Sequence, residues 1–315
     1  MKKCNHIKCI RSLTISFLIL ITISNSIGQQ VADSFFNSSI TNPAFSNNHL
    51  RVWIDDSHNN AFGMNFKMEG FVKLLQNDGY EVIADTSNIF TLNTLNKYDI
   101  LVIGGALGNN ITDSIQAFTL NEMTAIYNWV LQGGSLLLLT DHPPFDTSAS
   151  LLVQKLGGKC GIGIVQDTVN YFATGITGNQ FKSWIVFSNK NEGLGKHPIL
   201  LGRNEKENVH EILTQGGGSV SGPPGSSDIL KFSKYAENQK HRTGFGPSAF
   251  QKAQMVAFTL GKGRVVISAD ATFFSTQKVT TKEGLSFYLG MSRTDFDNRQ
   301  LVLNIMHWLS RLIGE

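Results

Sequence analysis

The chain contains few cysteines, and this scarcity excludes one class of protein at once. Three cysteines in 315 residues cannot build the dense disulfide network of a small secreted scaffold. Charged residues are also sparse, at 16 % against 41 % hydrophobic residues, which is the opposite of the composition that keeps a chain disordered. The chain therefore has enough apolar material to bury a sizeable core.

Several catalytic motifs are missing as well. There is no G-x-S-x-G elbow, no H-E-x-x-H and no Walker A sequence, so serine hydrolase, zincin and P-loop chemistries are not indicated. The glycines of residues 104–108 (GGALG) form only a broken dinucleotide fingerprint. Asp55, His58, Asp141 and His142 are ligand types that suit several divalent ions, but they lack the tight spacing of a metal site. We therefore expect no cofactor and no bound metal.

The N-terminal segment carries the positive excess of the chain. Residues 1–28 contain four basic residues and no acidic one, followed by the apolar run Leu13–Ile23 and small residues up to Gly28. This pattern predicts a secretory signal peptide cleaved near Gly28, because the run is shorter than the roughly 20 residues that span a bilayer. Removal leaves 27 − 4 = 23 basic against 24 acidic residues, a net charge of −1. The expected product is periplasmic or secreted, spans no membrane and has no charge excess for nucleic acid.

Strand-like and helical segments alternate along most of the remaining chain. Residues 29–50 are rich in Ser, Asn and Gln and indicate a loose N-terminal arm, followed by a single α/β domain over residues 51–315. Thr119 and Glu122 form a capping box that opens a helix. The alternation predicts a mostly parallel twisted sheet with helices on both faces, of the flavodoxin-like type, with antiparallel pairing open in the second half. The clearest predicted strands are Arg51–Asp55, Tyr80–Ala84, Asp99–Ile103, Ser135–Leu139 and Arg264–Ser268.

Polar side chains follow these strands where each one ends. In open α/β sheets the carboxyl ends of parallel strands meet at one edge, and ligands bind there. Asp and Asn at such positions also cap helices and hold turns, so it is their convergence that predicts one site. We expect His197 on a loop over the same edge. The strand-end candidates are Asp55, His58, Asn60, Asn109, Asp141, His142, Phe145 and Asp270.

These segments resemble a known family. The runs DDSHNN, YDILVIGG, GGSLLLLTDHPPF, GKGRVVISADATFF and DNRQLVLNIMHWLS resemble the family DUF4350, which is related to class I glutamine amidotransferase-like and ThuA-like α/β domains. The resemblance spans roughly residues 50–313. Amidotransferases place a nucleophilic cysteine at a strand end where this chain carries Thr140-Asp141-His142, so glutamine hydrolysis is not expected. The chain is also similar to the oligosaccharide dehydratases of ulvan degradation.

The resemblance implies a carbon–oxygen lyase that removes water from the terminal uronic acid of an acidic oligosaccharide and leaves a 4,5-unsaturated end. Such a reaction needs a base and an acid near neutral pH, which histidine can supply. We expect His58 and His142 to divide these roles, with Asp55 or Asp141 orienting them. The expected substrate-binding residues are Asn60, Asn109, Phe145, His197 and Asp270.

Two other readings stay open. A non-catalytic carbohydrate-binding or assembly domain would use the same fold without turnover. A metal-dependent hydrolase would instead be sensitive to chelators. The sequence carries no indication of the oligomeric state.

Overall fold

A computed structural model describes residues 29–46, 50–85, 89–108, 116–173, 182–239, 245–249, 251–282 and 284–314. The predicted signal peptide, residues 1–28, lies outside the described residues. Within the described ranges, no helix is both long enough and apolar enough to cross a membrane.

The described residues form a mixed α/β fold with several sheets and five α-helices. The strands are β1 Gln29–Ala32, β2 Arg51–Asp55, β3 Glu81–Asp85, β4 Ile100–Gly104, β5 Ser135–Leu139, β6 Lys159–Gly161, β7 Ile164–Asp167, β8 Val186–Ser188, β9 Glu211–Leu213, β10 Ser219–Ser221, β11 Ser227–Lys231, β12 Ala236–Gln239, β13 Phe245–Ser248, β14 Ala253–Leu260, β15 Gly263–Ser268, β16 Thr276–Thr280 and β17 Ser286–Gly290. The helices are α1 Glu69–Asn77, α2 Leu92–Leu95, α3 Leu120–Gln132, α4 Phe145–Lys155 and α5 Asn298–Leu309.

Five strands form the parallel half of the largest sheet, in the order β3-β2-β4-β5-β15. Strands β4 and β5 are buried along their whole length, as near-continuous apolar runs in parallel sheets require. The predicted strands over residues 51–55 and 135–139 lie at their predicted bounds, and the other three differ by one residue at one or both ends. An α/β fold with parallel strands is therefore confirmed.

The other half of this sheet is antiparallel, so the expectation of a mostly parallel sheet was too simple. β14 pairs antiparallel with β15, β10 and β11, and β10 pairs with β6. Only Gly261 and Lys262 separate β14 from β15, and a connection of two residues joins antiparallel strands. Gly261 has a φ of 60°, the left-handed conformation that glycine adopts without steric cost. The remaining strands form three small antiparallel sheets, β1-β16-β17, β13-β12-β7 and β8-β9.

Two large hydrophobic clusters pack against the parallel strands. Val52 and Ile54 of β2 belong to the first cluster, whereas Trp53 belongs to the second, because successive side chains of a strand point to opposite faces. Apolar side chains of α1 and α5 belong to the first cluster, and apolar side chains of α3 and α4, such as Ile126 and Leu152, belong to the second. The predicted capping box of Thr119 and Glu122 opens α3.

The N-terminal arm is held against the domain, which corrects the expectation of a loose segment. Its strand β1 pairs antiparallel with β16. The guanidinium of Arg299 donates to the carbonyl oxygens of Asn37 and Ser39. The Asp78 carboxylate accepts the Ala44 amide at 2.8 Å, and its other oxygen lies 2.7 Å from Nε2 of the buried His307.

Candidate functional site

The predicted strand-end residues do lie along one edge of the sheet. Asp55 is the last residue of β2, Asp141 follows β5 by two residues, and Asp270 follows β15 by two residues. Strands β5 and β15 are neighbours, whereas β4 separates β2 from β5. With strands about 4.8 Å apart, Asp141 and Asp270 are adjacent and Asp55 lies about 10 Å from Asp141. The edge therefore holds two groups of side chains.

The first group is an ion-paired histidine between two carboxylates. Nδ1 of His58 lies 3.0 Å from both carboxylate oxygens of Asp55, and Nε2 lies 3.0 Å from Oε1 of Glu122. Carboxylates accept hydrogen bonds, so both ring nitrogens carry hydrogen and the ring is an imidazolium. Burial lowers the pKa of His58, but the hydrogen bonds and charges of Asp55 and Glu122 outweigh it and raise the pKa above the ordinary 6.5. His58 thus has no free lone pair for a base.

Neighbouring residues fix this imidazolium in place. The Asn60 side chain accepts the His58 amide and donates to Asp55, both at 3.0 Å. The His58 ring stacks on Phe90 at 4.8 Å and lies 4.9 Å from the Phe118 ring. Phe90 and Phe118 belong to the second hydrophobic cluster. Asn60 was predicted to bind substrate, but its side chain instead forms hydrogen bonds within the turn that follows β2.

Glu122 is a member of this group that sequence reasoning assigned only to helix capping. Its Oε2 accepts from the amide and the hydroxyl of Thr119, as a capping box requires, while Oε1 faces His58. Burial raises the pKa of Glu122, but the hydrogen bonds from Thr119 and His58 lower it to below its ordinary value. One carboxylate therefore caps α3 and neutralises a histidine 64 residues away in the chain.

The second group is built on two buried carboxyl groups, Asp141 and Asp270. Asp141 accepts the amides of His142 at 2.7 Å and Ala271 at 3.1 Å, and Asp270 accepts those of Gln215 at 2.5 Å and Phe273 at 3.1 Å. Burial raises the pKa of Asp141. Burial and the Asp141 charge together raise the pKa of Asp270 to about 7. The pair therefore holds a proton close to neutral pH.

His142 is the exposed member of the second group. Its side chain is 42 % exposed, and Nε2 lies 3.7 Å from Oδ1 of the buried Asp141. Nδ1 lies 2.8 Å from the carbonyl oxygen of Pro143, which can only accept, so Nδ1 carries the hydrogen. In this tautomer the lone pair of the ring is on Nε2, near the buried carboxyl group of Asp141, so the ring can accept a proton as a general base.

Aromatic rings line the surface next to His142. The Phe145 ring, at the start of α4, meets the His142 ring edge-to-face at 5.8 Å. A Cβ at Gly105 would lie 3.1 Å from the Phe62 ring and 3.3 Å from the Phe145 ring. Gly105 also has a φ of 55°, so this turn after β4 requires glycine for both space and backbone conformation. Phe145, predicted to bind substrate, does lie beside His142.

Lys67 belongs to this surface and was missed by the sequence analysis. Its ammonium lies 4.8 Å above the centre of the Phe62 ring. Burial lowers the pKa of Lys67, and the nearby charge of Asp141 partly offsets this. Among the described side chains, no carboxylate lies within 4.0 Å of this ammonium. Lys67 precedes α1 without any strand-end signal, so only the tertiary structure brings it here.

The remaining predicted site residues lie elsewhere or outside the described part of the chain. Asn109 falls outside the described residues. His197 was expected on a loop over the site, but it lies elsewhere. Its ring packs against Trp308 of α5, with the ring centres 5.0 Å apart. Burial and the charge of Arg264 lower the pKa of His197 to about 4. Arg264 lies at the start of β15, about 13 Å from the carboxyl end that carries Asp270. His197 is therefore at the opposite edge of the sheet.

The described residues give little support to a metal-binding site or to a nucleophilic thiol. Within those ranges, no three His, Cys, Asp or Glu side chains are grouped to hold a metal ion. Cys160 on β6 is buried, and burial raises the pKa of its thiol to about 12. A thiol with so high a pKa is a poor nucleophile near neutral pH.

Comparisons with known proteins bear on the fold alone. No protein-family model matches the chain, and no curated protein does. Among solved structures, the mmIFT52 N-terminal domain is 13 % identical with a TM-score of 0.57, covering 82 % of this chain and 96 % of that domain. A cytoplasmic protein from Salmonella typhimurium (13 % identity, TM-score 0.48, 82 % and 98 % coverage) and a ThuA-like protein from Bacteroides uniformis (12 %, 0.42, 88 % and 95 %) are more distant neighbours. At 13 % identity the similarity to the mmIFT52 N-terminal domain shows a shared fold and nothing more.

Proposed function

We propose that the protein is an oligosaccharide dehydratase, a carbon–oxygen lyase that removes water from a terminal uronic acid and leaves a 4,5-unsaturated end. The observation that carries this proposal is the half-exposed ring of His142, whose Nε2 lies 3.7 Å from the buried Asp141 while Nδ1 donates to the carbonyl oxygen of Pro143. The substrate class comes from the resemblance to DUF4350 and to ulvan-degrading dehydratases. The leader-like residues 1–28 support export to the periplasm or beyond.

The proposed reaction uses His142 as both base and acid. Nε2 of neutral His142 removes the proton at C5, and the electron pair left on carbon forms the double bond to C4 as the C4–O bond breaks. The imidazolium then returns its proton to the departing hydroxyl group, which leaves as water. The charge of Asp141, whose Oδ1 lies 3.7 Å from Nε2, stabilises the transient imidazolium, and the proton balance of the cycle is zero.

Lys67 and the aromatic rings suit the substrate of this reaction. A uronic acid carries a carboxylate on C5, and the ammonium of Lys67, which has no carboxylate within 4.0 Å among the described side chains, can bind it. Phe145 offers an apolar face for the carbon side of a sugar ring. His58, with both nitrogens bonded to carboxylates, is assigned a supporting role in place of the base or acid role first expected for it.

The test is a product assay on saturated uronyl oligosaccharides, following the ultraviolet absorbance of the new double bond and the loss of water by mass spectrometry. His142→Ala should lose turnover by 10²-fold or more, the lower range for removal of a general acid–base group. His210→Ala, at an exposed histidine outside the site, is the matched control and should retain activity. Equal turnover by both variants would rule out the proposed role of His142.

A second candidate function is a non-catalytic carbohydrate-binding or assembly domain. It is favoured by the hydrogen bonding of Asp141 and Asp270, which accept backbone amides as purely structural carboxylates also do. Binding of uronyl oligosaccharides by the wild-type protein without any unsaturated product would support this candidate against the dehydratase.

A further inference from the structure

A cavity of about 650 Å³ lies away from the candidate site, between the end of β7, the turn after β8 and the end of β11. This volume is within the range of small-molecule sites. Tyr235, with 46 % of its surface exposed, and the buried Phe232 give the cavity aromatic walls. Asp141, His142 and Asp270 are not among its lining residues.

The charge of the lining is predominantly positive. Four lysines line the cavity against two acidic residues, Glu192 and Asp228, which gives 4 − 2 = +2. The expected mature chain has a net charge of −1, so this cavity concentrates the opposite sign. Among the described side chains, none of the four ammonium groups lies within 4.0 Å of a carboxylate. The four lysines are Lys190, Lys231, Lys234 and Lys252.

The walls of the cavity are fixed by hydrogen bonds. Asp167 at the end of β7 accepts the amides of Val169 and Asn170, both at 2.8 Å, and the hydroxyl of Ser233 at 2.6 Å. Asn191 accepts the amides of Ser188 at 2.9 Å and Gly193 at 3.0 Å. A pre-formed cavity with focused positive charge lowers the ordering cost of binding an anion.

We propose that this cavity is a second binding site for an anionic glycan, in which the lysines hold carboxylate or sulfate groups and Tyr235 packs against a sugar ring. The choice of a glycan over other anions rests on the proposed function. The position agrees with this choice. Strand β7 begins next to Gly163, whose amide donates to Asp146 of α4 at 2.9 Å, and ends at the cavity about 10 Å further on. Strand β7 thus connects the region of α4, which begins at Phe145, with the cavity.

The experiment is isothermal titration of the full chain with three probes: short oligogalacturonates, sulfated dextran oligosaccharides and neutral malto-oligosaccharides. Binding of the first or second probe, weakening with salt, is expected, and the stronger of the two identifies the preferred acid group. Changing Lys231, Lys234 and Lys252 together to Gln should weaken this binding about tenfold. A control variant that changes the exposed Lys206 and Lys97 to Gln should bind as the wild type does.

Equal binding by the two lysine variants, or equal binding of neutral and anionic probes, would overturn the cavity as an anion site. His142→Ala separates this outcome from failure of the proposed function. Lysine-dependent binding in a protein that never forms an unsaturated product would leave the cavity proposal standing and remove the dehydratase. If the protein forms the unsaturated product but the cavity lysines have no effect on binding, the dehydratase proposal stands and the cavity proposal falls.

Discussion

Asp141 and Asp270 are two buried carboxyl groups that follow neighbouring strands, β5 and β15, and the charge of Asp141 raises the pKa of Asp270. Asp270 is fully buried and Asp141 is 3 % exposed, and the pKa of Asp270 reaches about 7 through burial and the Asp141 charge. Two like charges in so small a volume cannot both form without cost. The pair therefore titrates as a unit near neutral pH.

The raised pKa of Asp270 makes stability depend on pH. The folded protein binds this proton more tightly than the unfolded chain, whose carboxyl group titrates near 3.8. The resulting stabilisation is complete below about pH 4 and is lost as the pH rises through about 7. We expect the wild-type Tm to fall over this interval, and Asp270→Asn to remove most of that slope.

The measurement is thermal unfolding of both proteins at closely spaced pH values. The absolute Tm of Asp270→Asn will be lower, because an amide group cannot accept from both Gln215 and Phe273 as the carboxyl oxygens do, so the slope is the informative quantity. The raised pKa of His58 contributes a loss that begins only above about 6.5. Parallel Tm curves for the two proteins between pH 4 and 6.5 would contradict the assignment to Asp270.

His58 and His142 should differ sharply in their effects on stability. His58→Ala leaves the buried carboxylates of Asp55 and Glu122 without their cation, and breaking such a pair costs about 3–5 kcal/mol. His142→Ala removes a half-exposed ring and should change the free energy of unfolding by less than about 0.5 kcal/mol. Urea unfolding of both variants at pH 6 gives the comparison. A larger loss for His142→Ala than for His58→Ala would mean that the two roles have been assigned the wrong way round.

The strand-end rule predicted where Asp55, Asp141 and Asp270 lie, because the carboxyl ends of parallel strands share an edge. It did not predict the separation into two groups, which depends on strand order. The order of the strands in the sheet, in which β4 lies between β2 and β5, cannot be predicted from any local sequence pattern. This intervening strand keeps Asp55 about 10 Å from Asp141.

Contacts between side chains that are distant in the sequence could not be predicted, for a different reason. Glu122 carries a clear local signal, the capping box, and its second oxygen is free to pair with His58 only after the chain has folded. The antiparallel half of the sheet was under-predicted because β6 and β10 contain three residues each, too few to show a period. The two-residue connection at Gly261 and Lys262 was the usable signal for a hairpin.

Cys160 should be unreactive in the folded protein. Its thiol is buried and its pKa is raised to about 12, so the reactive thiolate is scarce near neutral pH. We expect a maleimide reagent to leave Cys160 of the native protein unlabelled over hours and to label it completely in guanidinium chloride. Rapid labelling without denaturant would show that β6 opens readily or that the thiol is accessible.

Lys67 should act on substrate affinity. Lys67→Met keeps the aliphatic part of the side chain next to Phe62 and removes only the charge, so stability should change by less than about 0.5 kcal/mol. A charged hydrogen bond to a carboxylate contributes about 1.5–3 kcal/mol, which corresponds to an increase in KM of roughly 10-fold to 150-fold. Lys67→Arg should restore much of the affinity because it retains the charge.

Lys73→Met, at an exposed lysine paired with Glu69 on α1, is the control and should leave KM unchanged. If Lys67→Met lowered kcat at constant KM, the ammonium would stabilise the charge that develops at C5 instead of anchoring the ground-state carboxylate.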